Sequence, residues 1–164
     1  MRTLTPVPLT AEVFAPYGQV LDITQAEQLS INQGLTTRFH DMAQVRFDGE
    51  GAKTLINIFR STPVSFPHRV QIMERHPLGS QAFYPIGGAR FMVLVAPAGD
   101  SVRAEDLQLF ITNGQQGVNF NPNTWHHYQL ALDQISDFLV VDRGGEGNNL
   151  EEVELLGEAQ VLPV

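Results

Sequence analysis

Val70-Gln71-Ile72-Met73-Glu74-Arg75-His76, the turn Pro77-Leu78-Gly79-Ser80, and Gln81-Ala82-Phe83-Tyr84-Pro85-Ile86 decide how this chain folds. Both flanks are rich in β-branched, aromatic and other apolar residues, and a Pro/Gly turn separates them, so they read as two strands. Successive side chains of a strand point to opposite faces. On Val70–His76 one face then carries Val70, Ile72, Glu74 and His76, and the other Gln71, Met73 and Arg75. Glu74 and His76 are expected to point inward. On the second strand Gln81 and Phe83 oppose Ala82 and Tyr84; the pattern alone leaves the inner face open, and Gln81 is taken as inward. An ionised carboxylate inside a barrel costs several kcal/mol, so an inward Glu74 must bind a cation, pair with Arg, hold a proton or meet water. The alternative is a wet strand end at which Glu74 pairs with Arg75 or Arg69 on the surface.

The same pattern extends outward. Further strands are expected over Thr36–Phe47, Thr54–Arg60, Arg90–Ala96, Leu107–Asn113, His126–Leu132 and Ile135–Asp142, with fourteen Gly and ten Pro as punctuation. About eight strands with almost no helix suggest a sandwich or barrel. Thr10–Phe14 reads as one capped helical turn and Ser101–Asp106 as another, both peripheral. On His126–Leu132, His126 shares a face with Tyr128, Leu130 and Leu132, and only one of the adjacent pair His126 and His127 is expected in the core, His126. After Arg143 come Glu146, Glu151, Glu152, Glu154 and Glu158 without a cation, expected to form an acidic surface strand or a solvated arm.

Composition bounds the rest. A chain of 164 residues that is 43% hydrophobic and 17% charged is expected to be a single domain, residues 1–164, folded by burial. A net charge of −8, with nine of the ten cations arginine, argues against a nucleic-acid partner. The absence of cysteine removes thiol nucleophiles, thiolate metal sites and disulfides. No run approaches the ~18 apolar residues of a membrane span, and the start lacks the apolar stretch of a signal peptide. The expectation is a soluble cytoplasmic protein.

Glu74-x-His76-x4-Gln81-x6-Gly88, with Asn121-Pro122-Asn123-Thr124-Trp125-His126 about forty residues on, resembles the two motifs of cupins. Glu74 stands where metal-binding cupins usually have the first His, Gln81 replaces their Glu, and Asn123 sits where Gly is expected. A closer resemblance spans nearly the whole chain. Leu9-Thr10, Phe14-Ala15-Pro16-Tyr17-Gly18, Glu74 to Phe83, Phe110 to Asn119, Trp125-His126-His127 and Asp137 to Gly145 resemble the ureidoglycolate lyase family, formerly called ureidoglycolate hydrolase, in the same order. That resemblance implies an all-β cupin-type double-stranded β-helix, or jelly roll. It also implies a homodimer, and cleavage of (S)-ureidoglycolate to glyoxylate and urea in allantoin breakdown. It further implies stimulation by nickel or another divalent metal, with Glu74, His76, Gln81 and His126 as the ligand set.

The chemistry asks for a base at the substrate hydroxyl, an acid at the departing nitrogen and a clamp for the carboxylate, with no water consumed. Glu74, His76 and His126 supply proton-transfer groups. Arg143 and Arg75 are the cations within the motifs, able to hold a carboxylate bidentately; Arg75 also suits a salt bridge at a subunit contact. Gln81, Asn113 and Asp142 complete the expected substrate-binding set, although Asn113-Gly114 equally suits an ordinary hairpin. Two branches stay open, a metal-assisted elimination and one using His as base with Arg stabilising charge. An oxygenase or isomerase on another small acid is the alternative, since cupins host many reactions. A non-catalytic small-molecule sensor is the third reading.

Overall fold

A computed structural model describes residues 1–164. In chain order the elements are β1 (Arg2–Leu4), β2 (Val7–Pro8), α1 (Ala11–Phe14), β3 (Gly18–Asp22), β4 (Glu27–Ile31), β5 (Thr36–His40), β6 (Lys53–Ser61) and β7 (His68–Arg75). There follow β8 (Gln81–Ile86), β9 (Phe91–Ala96), a 3-10 turn at Ala104–Asp106, β10 (Gln108–Ile111), β11 (Gln116–Phe120), β12 (Trp125–His126), β13 (Leu130–Ala131), β14 (Ser136–Gly144) and β15 (Glu151–Val161). One curled sheet runs β1-β15-β7-β12-β9-β10-β2, with β13 also on β9; a second runs β3-β11-β8-β14-β6; β4 and β5 form a hairpin apart. The two curled sheets face one another as the cupin-type jelly roll.

β9 explains the arrangement. Its six residues, Phe91-Met92-Val93-Leu94-Val95-Ala96, are all buried, the mark of a strand covered on both faces. Phe91, Val93 and Val95 join Phe83, Phe120, Phe138 and Val140 of the second sheet in one core. Met92, Leu94 and Ala96 enter another core with Trp125, Met73, Leu155 and Val161, enclosed by the curl of the first sheet. Each buried aliphatic side chain contributes about 1.5–3 kcal/mol, so both faces hold β9 at the centre of the fold.

Several expectations are corrected. The strand from Thr36 stops at His40 because Asp41 turns into the left-handed region (φ 51°), and Phe47 makes only an isolated bridge to Gly79. His126–Leu132 is not continuous: His127 N–H donates to the Leu94 carbonyl at 2.9 Å, residues 127–129 leave the ladder, and Leu130 re-enters it on the Trp125 side. Val70 and Met73, three positions apart, pack into one core, so strict alternation fails on β7 beside a register shift in β15 between Glu154 and Ala159. The acidic tail forms β15, whose Leu155, Ala159 and Val161 are buried, so it is a structural strand with an acidic outer side. α1 and the Ala104–Asp106 turn stand where short helical turns are expected, with Thr10 Oγ1 accepting from Val13 N–H at 3.4 Å.

Candidate active site

β7 and β12 are antiparallel neighbours with Glu74 opposite His126, and His76 follows directly after β7. The shared register brings Glu74, His76 and His126 together, with one ligand atom from each lying within 4.8 Å of the others. The His76 and His126 rings are 5.2 Å apart between centroids. His126, 1% exposed, stacks flat on Phe120 at 4.2 Å with an interplanar angle of 4°. Phe120 pairs with Gln81 across β11 and β8, which sets Gln81 beside this stack. Gln81 Nε2 donates to Asp142 at 3.4 Å, and Asn57 Nδ2 donates to the other oxygen of the same carboxylate at 3.0 Å.

Hydrogen bonds fix the histidine tautomers. His76 Nδ1 lies 2.7 Å from the main-chain carbonyl of Asn149, which can only accept, so Nδ1 carries the proton and Nε2 offers a lone pair. His126 Nδ1 faces the His127 carbonyl at 3.2 Å in the same way. Burial, with His76 alongside, lowers the His126 pKa to about 3, so its ring is neutral at pH 7 and its 3.7 Å approach to Glu74 is not an ion pair. Burial pushes the Glu74 carboxyl up; His76 opposes that rise, and Glu152 adds to it.

His76 Nε2 and His126 Nε2 in this cluster, and Oε1 of Gln81, the cross-strand neighbour of Phe120, are buried without a hydrogen-bond partner. All three offer lone pairs; the two imidazoles converge with the Glu74 carboxylate as a mixed nitrogen and oxygen set, to which Gln81 would add an amide oxygen. Leaving such atoms dry costs about 1–3 kcal/mol each, and a divalent cation would satisfy them together. The residues fit a divalent metal of the nickel, iron or manganese type. Asn123, standing where cupins place Gly, has a φ of 66°, the left-handed geometry that position requires.

The other expected residues stand elsewhere. Arg75 projects away from His126: it pairs with Glu151 at 2.6 Å, donates to the Gly99 carbonyl and covers the Trp125 ring at 4.5 Å. Arg143, 6% exposed, donates from Nε to the Asp48 carbonyl and from Nη2 to the Glu146 carbonyl, each at 2.7 Å. It thereby clamps two loops, one of which continues to Asn149 and so to His76. Asn113 caps the β10–β11 turn through Gln115 N–H at 2.9 Å. It lies beyond Gln116, which is itself four residues, about 13 Å, along β11 from Phe120. Asp142 accepts from Gln81 Nε2 at 3.4 Å and from Asn57 Nδ2 at 3.0 Å.

Sequence reasoning passed over three contributors. Asn57 is a lone polar residue on the same face of β6 as Leu55 and Phe59, a signal legible in the sequence. Phe120 lies on a strand interrupted by Gly117 and Asn119, which hid its alternation. Asn149 acts through its main chain, while its Oδ1 accepts from Leu78 N–H at 2.8 Å; no residue-type argument exposes the first of these. The pairing of one buried and one exposed histidine also fails, since His127 is 4% exposed and contacts a separate set of groups.

A family model described as ureidoglycolate lyase matches residues 1–162. The chain is 49% identical over 155 residues to a ureidoglycolate lyase of Burkholderia mallei, covering 94% of this chain and 91% of that protein. It is 51% identical over 145 residues to one of Rhizobium etli, covering 88% and 87% respectively. To a ureidoglycolate lyase of Pseudomonas syringae pv. syringae it is 45% identical over 162 residues, covering 99% and 95%.

Proposed function

This chain belongs to the ureidoglycolate lyase family, and on that footing we propose that it eliminates urea from (S)-ureidoglycolate to give glyoxylate, as a carbon-nitrogen lyase in allantoin breakdown. The observation that carries the reading is the convergence of Glu74, His76 and His126 in one cluster whose imidazole Nε2 atoms are buried and unpartnered.

The substrate carbon bears a hydroxyl, a ureido nitrogen and a carboxylate. Breaking its C–N bond turns the hydroxyl into the glyoxylate carbonyl, and the hydroxyl proton ends on the nitrogen of urea. The balance needs no water and no net proton. One group that accepts a proton and returns it therefore suffices. Glu74 suits that role, because its carboxyl is partly exposed and its pKa lies above the usual carboxylate range. Neutral His126, seated on Phe120, and His76, oriented by Asn149, present lone pairs at fixed positions. Gln81, oriented by Asp142 and Asn57 and with a buried, unpartnered carbonyl oxygen, would supply a further oxygen ligand. These residues would hold nickel or another divalent cation, which when bound polarises the hydroxyl and supplies positive charge for the substrate carboxylate.

The assembly is proposed to be a homodimer. The outer face of the second sheet exposes Ile56, Ile58, Leu139 and Ile86, adjacent across β6, β14 and β8. Contiguous apolar surface of this kind marks an interaction site, and a second copy of the same face is its proposed cover. No helix is long and apolar enough to cross a membrane, and we place the enzyme in the cytoplasm.

Incubation with racemic ureidoglycolate, in the absence of urease, tests the reaction. Equimolar glyoxylate and urea from half of the substrate are expected; ammonia and carbon dioxide as direct products would overturn the lyase reading. Activity before and after chelation, read against bound metal, separates the metal-assisted branch from the metal-free one.

A further inference from the structure

His127 follows His126 in the chain, yet the proposed reaction makes no use of it. Its Nδ1 lies 2.8 Å from the Ile72 carbonyl oxygen, so Nδ1 carries the proton and Nε2 presents a lone pair. That Nε2 stands 3.0 Å from Nε2 of His68. His68 makes no other side-chain hydrogen bond, so its tautomer is free to place a second lone pair there.

We propose that His68 and His127 form a second divalent-cation site, separate from the Glu74, His76 and His126 cluster, which takes a first-row transition ion through the two Nε2 atoms and completes its shell with water. The spacing supports this. Two imidazole nitrogens about 2.1 Å from one ion and about 90° apart lie roughly 3.0 Å from each other, whereas a tetrahedral angle would set them near 3.4 Å. Ninety-degree pairs are the habit of octahedral or square-planar Ni2+ and Cu2+.

The surroundings support it too. A ligating histidine commonly donates its other N–H to a backbone carbonyl, which fixes the ring, and His127 is held in this way by Ile72. The Tyr128 ring lies 3.8 Å from His127 and 5.9 Å from His68 and covers the pair, while itself remaining 44% exposed to solvent. Two neutral nitrogens without a carboxylate favour a borderline ion over Mg2+ or Ca2+, which seek oxygen. Bound there, the ion ties the first residue of β7 to the segment that leaves the ladder after β12. The site would act as a clasp at that break and would take no part in proton transfer.

The competing arrangement is a plain N–H···N hydrogen bond from His68 to His127. Two measurements on the full chain decide between them. In histidine-labelled Glu74→Gln protein titrated with Ni2+, the ring resonances of His68 and His127 are expected to broaden together; a titration in which neither broadens overturns the proposal. In calorimetric titration with Ni2+, His68→Gln is expected to bind one equivalent per chain fewer than wild type at unchanged ureidoglycolate turnover, while Glu74→Gln keeps the His68-dependent equivalent. An unaltered Ni2+ stoichiometry in His68→Gln overturns the proposal. Both readouts report cation binding, so their failure leaves the lyase reading standing, and loss of the lyase reading leaves them standing.

Discussion

Replacing Arg143 with Met separates two roles that the sequence leaves entangled. The guanidinium is nearly buried and donates one hydrogen bond to the Asp48 carbonyl and another to the Glu146 carbonyl, both at 2.7 Å. Hydrogen bonds from a charged donor contribute about 1.5–3 kcal/mol each, and Met keeps the aliphatic stem, which packs so closely under Gly79 that a Cβ there would approach Arg143 Cβ to 2.9 Å. The expected loss is therefore about 3–6 kcal/mol, a fall in Tm on the order of 10 °C for a domain of this size. Arg143→Lys should fall between the two, because one ammonium cannot span both carbonyls. Urea unfolding of the metal-free protein measures the loss, and glyoxylate formation per folded molecule measures the consequence at His76, whose carbonyl partner Asn149 sits on the same loop as Glu146. A clamp predicts lower stability with a lower kcat. If Arg143→Met unfolds within about 0.5 kcal/mol of wild type and only KM rises, Arg143 holds the substrate and the clamp is wrong.

Glu74→Gln is expected to cut turnover by about 10²–10⁴. The folded-state pKa of Glu74 lies above the 4.5 of an unperturbed glutamate, so its ionisation weighs against the fold as pH rises past 4.5; the variant should be more stable than wild type at pH 7 but not at pH 4, by urea midpoints at both. In the metal-free protein His126 and His127 stay neutral to about pH 3 and 4, whereas unfolded histidine protonates near 6.5. The unfolded chain binds more protons in that window, so stability should fall as pH drops below 6.5, with a shallower slope in His127→Gln; an equal slope removes this account. Arg75→Ala loses the Glu151 pair and the Trp125 contact, for which about 1–2 kcal/mol is expected with KM unchanged; a large rise in KM would place Arg75 at the substrate. Ile58→Glu puts a charge in the exposed apolar face and should sediment as a monomer, and unchanged sedimentation would move the dimer contact elsewhere.

The parts of this fold legible in the sequence are those where burial and alternation coincide. Gln81–Ile86 matches β8 from end to end; the period of two leaves the inner face of that strand open, and on β7 it assigns Ile72 inward and Met73 outward, the reverse of their burial. Where a strand is polar, as at Glu27–Ile31, or glycine-bearing, as at Gln116–Phe120, the pattern carries no contrast, and β4, β11 and the stack under His126 went unread. β9 gives the opposite failure: six apolar residues announce burial but not that they divide between two cores. The two arginines misled for a physical reason. Their positions in the motif indicate that they matter, but a guanidinium serves a backbone carbonyl as readily as a carboxylate; the loops at 46–51 and 144–149 decide this for Arg143, and Glu151 with the Gly99 carbonyl for Arg75.

The oxygen that sets the His76 tautomer belongs to the peptide backbone. Almost any residue type supplies the same oxygen, so a substitution at position 149 loses the side-chain acceptor for Leu78 N–H but keeps the carbonyl itself. Length is the vulnerable variable. Adding or deleting a single residue in the glycine-rich span 144–147 would slide a different carbonyl under the imidazole or none, silencing the ring without touching any side chain of the cluster.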